Sequence, residues 1–164
     1  RSKKEKLIKK ISEEKVNTEF GTMNLIVYSD LLTKNMHLAL VKGVIKKNDE
    51  VMVRVHEPLS ILDFISRETS HSWPPLRAIE AINNEEKGVI IFLNYNESQD
   101  SITSKLSLKN TALKKSTDLR NYGIGSQILV DIGVTKMKLL AAPRKMPSMT
   151  GYGLQVTEFI ENNL

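Results

Sequence analysis

The stretch RVHEPLSILDFISRETSHSWPP, residues 54–75, carries the residue types that could do chemistry at the end of a strand. Arg54, His56 and Glu57 directly follow an apolar run, and His71 comes later in a polar stretch. Such a rim suits a metal centre or an anion site. A metal enzyme would want cysteines or several histidines here, and the chain has three histidines and no cysteine. Three protein ligands are the usual minimum for catalytic zinc, so His71 alone does not make a site. His56, Glu57 and His71 together could assemble only an unusual centre. A second chemistry-bearing stretch is TDLRNYGIGSQILVDIGVTKMKLLA, residues 117–141. Asp118 and Arg120 read as a polar loop before a helix, followed by Tyr-Gly-Ile-Gly. Glycines there allow close backbone approach, and a helix N-terminus favours anions. Capping by Asp118 plus a surface pair with Arg120 explains the same residues on local physics alone.

Several elements must position these residues. Residues 3–14 predict a helix, with Leu7, Ile8 and Ile11 on one face among lysines. MNLIVYS (23–29), HLALVKGVI (37–45) and VMVRV (51–55) are rich in Val, Ile and Leu and read as strands, with KKNDE (46–50) a polar turn. LRAIEAINNEE (76–86) predicts a helix started by Pro74–Pro75. GVIIFLN (88–94) is apolar continuously, the mark of a strand buried on both faces. Residues 95–117 are ambiguous, although SKLSLKNTALKK can form a helix. GIGSQILVDIG (123–133) predicts a helix with Ile124, Ile128, Leu129 and Ile132 inward and Gly133 just past its end. KMKLLA (136–141) reads as a strand, PRKMPSMTGYG as a loop and LQVTEFI (154–160) as a last strand. Strands alternating with helices in the second half predict an α/β fold. The expected architecture is a single domain with a mixed sheet and flanking helices, residues 17–164, behind a linker helix over residues 1–16 that leads from an upstream domain.

Composition bounds the function. The chain has 164 residues, enough for one domain with a sizeable core. Zero cysteines exclude disulfides, thiolate metal sites and cysteine nucleophiles. No apolar run approaches the ~18 residues needed to cross a bilayer, and the basic start lacks an apolar signal core. No membrane partner is expected, and the cytoplasm is the expected compartment. The net charge of +5 points to nucleic acid or an anionic ligand. Residues 1–10 carry five Lys and one Arg against one Glu, which a solvated amphipathic segment explains as well. No basic and aromatic residues interleave in the manner that stacks bases, so no nucleic-acid partner is expected.

Five strings give the chain a closer likeness. KLIKKISEEKVNTEFGTMNLIVYSD near the start, HLALVKG (37–43), VMVRVHE (51–57), RNYGIGSQILVDIGVTKMKLL (120–140) and GYGLQVTEFI (151–160) resemble the GTP cyclohydrolase II family of riboflavin biosynthesis. The first string looks like the segment that joins the halves of the bifunctional enzyme, in which a 3,4-dihydroxy-2-butanone 4-phosphate synthase half comes first.

The family opens the imidazole ring of GTP, releasing formate and pyrophosphate, with a zinc ion held by three cysteines. Three thiolates leave a fourth position for an activated water. The resemblance places Pro58, Thr69 and His71 where those cysteines belong. It implies that the zinc site is lost, so no cofactor is expected. It gives Asp118 the place of the proton acceptor and Arg120 that of the nucleophile toward the α-phosphate. Arg54, Val55, His56, Glu57 and Lys145 take the places of nucleotide-contacting residues. NESQD (96–100) stands where the family has a Glu-Gly-Arg phosphate loop. The helix expected to bring a tyrosine and a threonine is unrecognisable around 101–115. Ala141–Ala142–Pro143 replaces Thr-Asn-Asn-Pro, and each base-recognising partner lost this way costs ~1–3 kcal/mol.

The resemblance therefore implies a cyclohydrolase-like domain without GTP ring opening, structural or dimer-forming beside an upstream synthase domain. Two other readings stay open. One is a regulatory module binding GTP or a phosphate anion through Arg54, Arg120 and Lys145. The other is a cyclohydrolase still active with an atypical site.

Overall fold

The computed structural model describes the backbone of residues 5–56, 73–94, 111–143 and 147–162, and the side chains of all of these except 111–120 and 147–148. The elements run β1 (Ile8–Thr18), β2 (Gly21–Asp30), β3 (Met36–Lys42), β4 (Glu50–His56), α1 (Pro75–Asn83), β5 (Gly88–Phe92), α2 (Thr111–Ile132), β6 (Lys136–Leu140), α3 (Pro147–Gly151) and β7 (Gln155–Ile160). The seven strands form one mixed sheet in the order β1-β2-β3-β5-β4-β6-β7. The β1, β2, β3 and β5 neighbours pair antiparallel. The β5, β4, β6 and β7 neighbours pair parallel. The expected α/β architecture, one domain with a mixed sheet and flanking helices, is the one observed. No described helix is long and apolar enough to cross a membrane.

Alternation along the strands sends successive side chains to opposite faces. Val51, Val53, Val89, Ile91, Met137 and Leu139 enter one cluster with Ile124, Ile128 and Leu129 of α2. Met52, Ile90 and Leu140 enter the other with Ala78 and Ile82 of α1. The two helices thus cover opposite faces, which is why GVIIF is apolar at every position. The α1 helix begins at the predicted prolines, with Pro74 in the N-cap position. Its close seat on the sheet depends on Gly88, where an added Cβ would come within 2.4 Å of Ile82 Cγ2. The α2 helix ends as predicted at Gly133 (φ 104°), whose N–H and that of Val134 both return to the Leu129 carbonyl at 3.1 and 3.0 Å.

Three expectations are corrected. The segment read as a helix over 3–14, and as a linker helix over 1–16, is an edge strand from Ile8 onward. It pairs with β2 from Ile8↔Asp30 to Thr18↔Gly21. Ile11, placed on the apolar face of that helix, is 52% exposed at a register shift between Lys10 and Ser12. Its charged residues protect an edge that has a partner on one side only. Second, α2 begins at Thr111 rather than at Gly123. Asp118, Arg120 and the Tyr-Gly-Ile-Gly run therefore lie within a helix and not in a loop before one. Third, the loop read between the last two strands contains the short helix α3.

The buried polar groups are tied across elements. Asp30 Oδ1 accepts from the Leu32 and Thr33 N–H groups at 2.9 and 3.0 Å, shaping the β2–β3 turn. Tyr28, fully buried on β2, donates its hydroxyl to Asp131 Oδ2 of α2 at 2.7 Å. Burial, then the Asp131 carboxylate, pushes the Tyr28 phenol well above its ordinary value of 10.0. An unfolded chain releases this proton near pH 10 while the folded chain keeps it. The contribution is fully present below about pH 10 and declines as pH rises above it. Tyr28→Phe should lose about 1 kcal/mol at neutral pH for the missing bond. It should also make the alkaline fall in the urea midpoint shallower; an unchanged fall would contradict this account.

Candidate functional site

The chain passes from β4 to β5 on one side and then to β6 on the other. The order of strands therefore reverses at β4. In an open parallel sheet such a reversal opens a crevice outside the strands' carboxyl ends, where ligands bind. The residues at that end of β4 are Arg54, Val55 and His56.

Strand alternation divides them. Arg54 and His56 share a face with Met52, the α1 side. Val55 points the other way and packs on the α2 cluster. A Cβ added to Gly125 of α2 would lie 3.4 Å from Val55 Cγ1, and one added to Gly123 would lie 3.1 Å from Leu7 Cδ1. The glycines read as room for a ligand therefore give room for close packing of helix on strand. Val55 belongs to that packing.

Arg54 is 6% exposed and donates from Nη1 to the Leu140 carbonyl at 2.9 Å. It thereby ties the end of β4 to the end of β6. His56 is fully buried, its ring 6.1 Å from that of Phe92, and its carbonyl accepts from the Leu93 N–H at 3.0 Å. Asp118 and Arg120 lie five to seven residues before Gly125, roughly 8–10 Å along the helix axis. They precede Ile124, Ile128 and Leu129, the α2 residues that enter the cluster on the sheet face opposite to Arg54 and His56. Glu57, Pro58, Thr69, His71, Lys145 and NESQD (96–100) lie outside the described residues. Ala141 continues the edge, its N–H donating to the Ile160 carbonyl at 3.0 Å. Ala142 and Pro143 are exposed.

Two features of this edge were not singled out in the sequence. His37, the second residue of β3, is fully buried. Its Nδ1 accepts from the Asn94 N–H at 3.1 Å, and its Nε2 lies 3.4 Å from Asp30 Oδ2. Accepting at Nδ1 leaves the proton on Nε2, facing the Asp30 carboxylate. The histidine thus ties the β2–β3 turn to the residue from which the chain leaves β5. A polar residue opening an apolar strand was the available signal. Trp73 donates Nε1–H to the Ile160 carbonyl at 2.9 Å. The same carbonyl accepts from Ala141, so the ends of β6 and β7 are closed together.

The amino end of β4 offers a depression lined by Asp49, Glu50, Asn84, Glu85, Glu86 and Lys87. Three of its four acids have local partners: Asp49 has Lys87, Glu85 has Lys138 at 3.2 Å, and Glu50 has the Thr157 hydroxyl at 2.6 Å. Among the described residues no group of three or more His, Asp or Glu side chains is placed to hold a metal ion.

Sheet order and the Arg-Val-His strand end define an α/β domain with Arg54 and His56 buried at its carboxyl edge. The chain belongs to the GTP cyclohydrolase II family, whose model matches residues 9–161. A 3,4-dihydroxy-2-butanone 4-phosphate synthase of Neisseria meningitidis serogroup A is 38% identical over 161 residues, 98% of this chain and 44% of that protein. The riboflavin biosynthesis protein RibBA of Bacillus cereus is 35% identical, over 94% of this chain and 42% of that protein. The crystal structure of RibBX, a two-domain 3,4-dihydroxy-2-butanone 4-phosphate synthase from A. baumannii, superposes with a TM-score of 0.69. It is 27% identical and covers 96% of this chain and 41% of that one. The chain spans less than half the length of these relatives.

The position of Arg54 makes a stability prediction. Arg54→Ala leaves the Leu140 carbonyl without this donor and opens a cavity at the sheet edge, which should cost about 2–4 kcal/mol. Urea denaturation reads this directly. An arginine kept only for a ligand would give an unchanged or raised midpoint.

Proposed function

We propose that this chain is the cyclohydrolase-like domain of a riboflavin-biosynthesis protein, that it no longer opens the GTP ring, and that it supports a 3,4-dihydroxy-2-butanone 4-phosphate synthase domain in the same parent chain. The observation that carries this reading is the donor set. The family's three thiolates have no counterpart in a chain without cysteine. Proline offers no donor, threonine is a poor zinc ligand, and His71 supplies one nitrogen where three ligands are needed. Zinc therefore does not fit the residues at these positions, and no step is derived through it. The engagement of Arg54 with the Leu140 carbonyl agrees with a strand end retained for architecture. The 3,4-dihydroxy-2-butanone 4-phosphate synthase name of the Neisseria relative supports the synthase partner.

The chain incubated with GTP and zinc should release no formate and retain no stoichiometric zinc after dialysis. Zinc bound one to one together with formate release would overturn the reading.

A second reading has one observation in its favour: Arg54 and His56 stand at the point where the strand order reverses, the usual place for a ligand in such sheets. In this reading the domain binds GTP or another phosphate anion without chemistry, using Arg54, Arg120 and Lys145. Millimolar GTP or pyrophosphate would then raise the melting temperature by binding the folded state. The rise would disappear in Arg120→Ala. A melting temperature unmoved by both ligands rejects it.

A further inference from the structure

The segment Glu5–Leu7 precedes β1 and is held from the side by one residue of α2. A glutamine side chain offers one acceptor oxygen and two N–H donors. Gln127 accepts from the Leu7 N–H at 2.8 Å, donates to the Glu5 carbonyl at 2.6 Å and donates to the Tyr152 hydroxyl at 3.2 Å. Both bonds to the segment go to main-chain atoms. Bonds of that kind hold a backbone whatever its side chains, and an apolar pocket adds the selectivity. Leu7 fills such a pocket. It packs with Tyr152 at the margin of the α2 cluster. It also lies over Gly123, where an added Cβ would come within 3.1 Å of Leu7 Cδ1. The Leu7 carbonyl accepts from the Leu31 N–H at 2.9 Å. One short segment thus joins α2, Tyr152 and the turn after β2.

The hold is local. The ladder between β1 and β2 begins at Ile8↔Asp30, and Ile8 is buried. Glu5 and Lys6 are exposed, and Leu7 is half-buried. Lifting residues 5–7 breaks the bonds to Gln127 and Leu31 and uncovers Gly123, yet it leaves the paired residues of every strand in register. Openings confined to a few bonds of exposed backbone lie at the low end of the free-energy range of native-state fluctuations.

We propose that residues 5–7 are a detachable strap latched by Gln127. Gln127, Gly123 and Tyr152 form a groove that reads an extended main chain carrying one leucine-sized side chain, and the chain's own Glu5–Leu7 segment is the occupant. With the strap docked, α2, Tyr152 and the β2–β3 turn are held as one unit. With it released, the Leu31 N–H loses its acceptor and Gln127 loses both main-chain partners. Gln127 is therefore a positioning residue that couples the entry of the chain to α2. The inference needs neither a metal nor a nucleotide and stands apart from the proposed function.

Hydrogen exchange at single amides, read by NMR on this chain, tests it. The Leu7 and Leu31 amides should exchange more slowly than free backbone but well before the Ile90 amide in the core of β5. In Gln127→Ala both should exchange at least about tenfold faster, because two hydrogen bonds to the strap are lost, while Ile90 is unchanged. Gln127→Glu separates the latch from simple packing. At neutral pH its carboxylate cannot donate to the Glu5 carbonyl, so the strap loosens. Below about pH 4 the protonated carboxyl regains a donor, and the Leu31 rate should return toward that of the unaltered protein at the same pH. A Leu31 rate unmoved by Gln127→Ala overturns the latch. Leu7 exchanging as slowly as Ile90, or Ile90 accelerating together with Leu31, overturns the detachable strap. Protection of Leu7 that grows with protein concentration places the segment on a second copy and also overturns the proposal.

Discussion

A guanidinium almost wholly removed from water at the end of β4, the strand where the sheet order reverses, constrains the rest of this fold. Burying a charge is costly unless it is paired and hydrogen-bonded, and Arg54 answers part of that cost by donating to the last carbonyl of β6. The bond fixes β6 beside β4 at the edge where the strand order reverses. The same closure is continued by Trp73 and Ala141, which share the Ile160 carbonyl at the end of β7. On the other side His37 joins the β2–β3 turn to Asn94 at the end of β5. Polar side chains thus tie together the strand ends along one edge, the edge where open sheets with such a strand order bind ligands. The groups at the candidate site are also groups that hold the sheet closed.

This dual use would let the family fold persist in a chain that, as proposed, no longer opens the GTP ring. Loss of Arg54 would remove the side-chain tie between the ends of β4 and β6. The glycines of α2 behave likewise. A Cβ added at Gly125 would meet Val55, and one added at Gly123 would meet Leu7 at 3.1 Å and the Tyr152 hydroxyl at 3.9 Å. A larger residue at either position would press on a strand or on the first residues of the domain. Residues that look preserved for a nucleotide therefore have packing reasons to remain.

The parallel half of the sheet was legible from sequence because its signals are local. GVIIF carries no polar residue, the two prolines mark the start of α1, and Gly133 ends α2 where the chain must turn. The first strand was not legible. Most of β1 is solvent-exposed, so it lacks the period-two pattern that a half-buried strand shows, and Leu7, Ile8 and Ile11 happen to fall at helical spacing. Only its ten-residue pairing with β2, a non-local contact, makes it a strand. The start of α2 was missed because Asp118 and the two glycines weigh toward a loop on propensity, whereas burial of Gly123, Ile124, Gly125 and Ser126 on the sheet overrides that preference. The candidate site was legible as a string and not as a geometry. Arg54, Val55 and His56 are consecutive, yet the pleat sends the middle one into the opposite core.

The account stands on the claim that the carboxyl edge of β4 is an architectural closure without a catalytic metal. Anomalous diffraction at the zinc edge, from crystals of this chain grown with zinc and GTP, measures that claim most directly. The account predicts no ordered zinc peak beside His56. A full-occupancy peak there, coordinated by protein side chains and next to bound nucleotide, would contradict it.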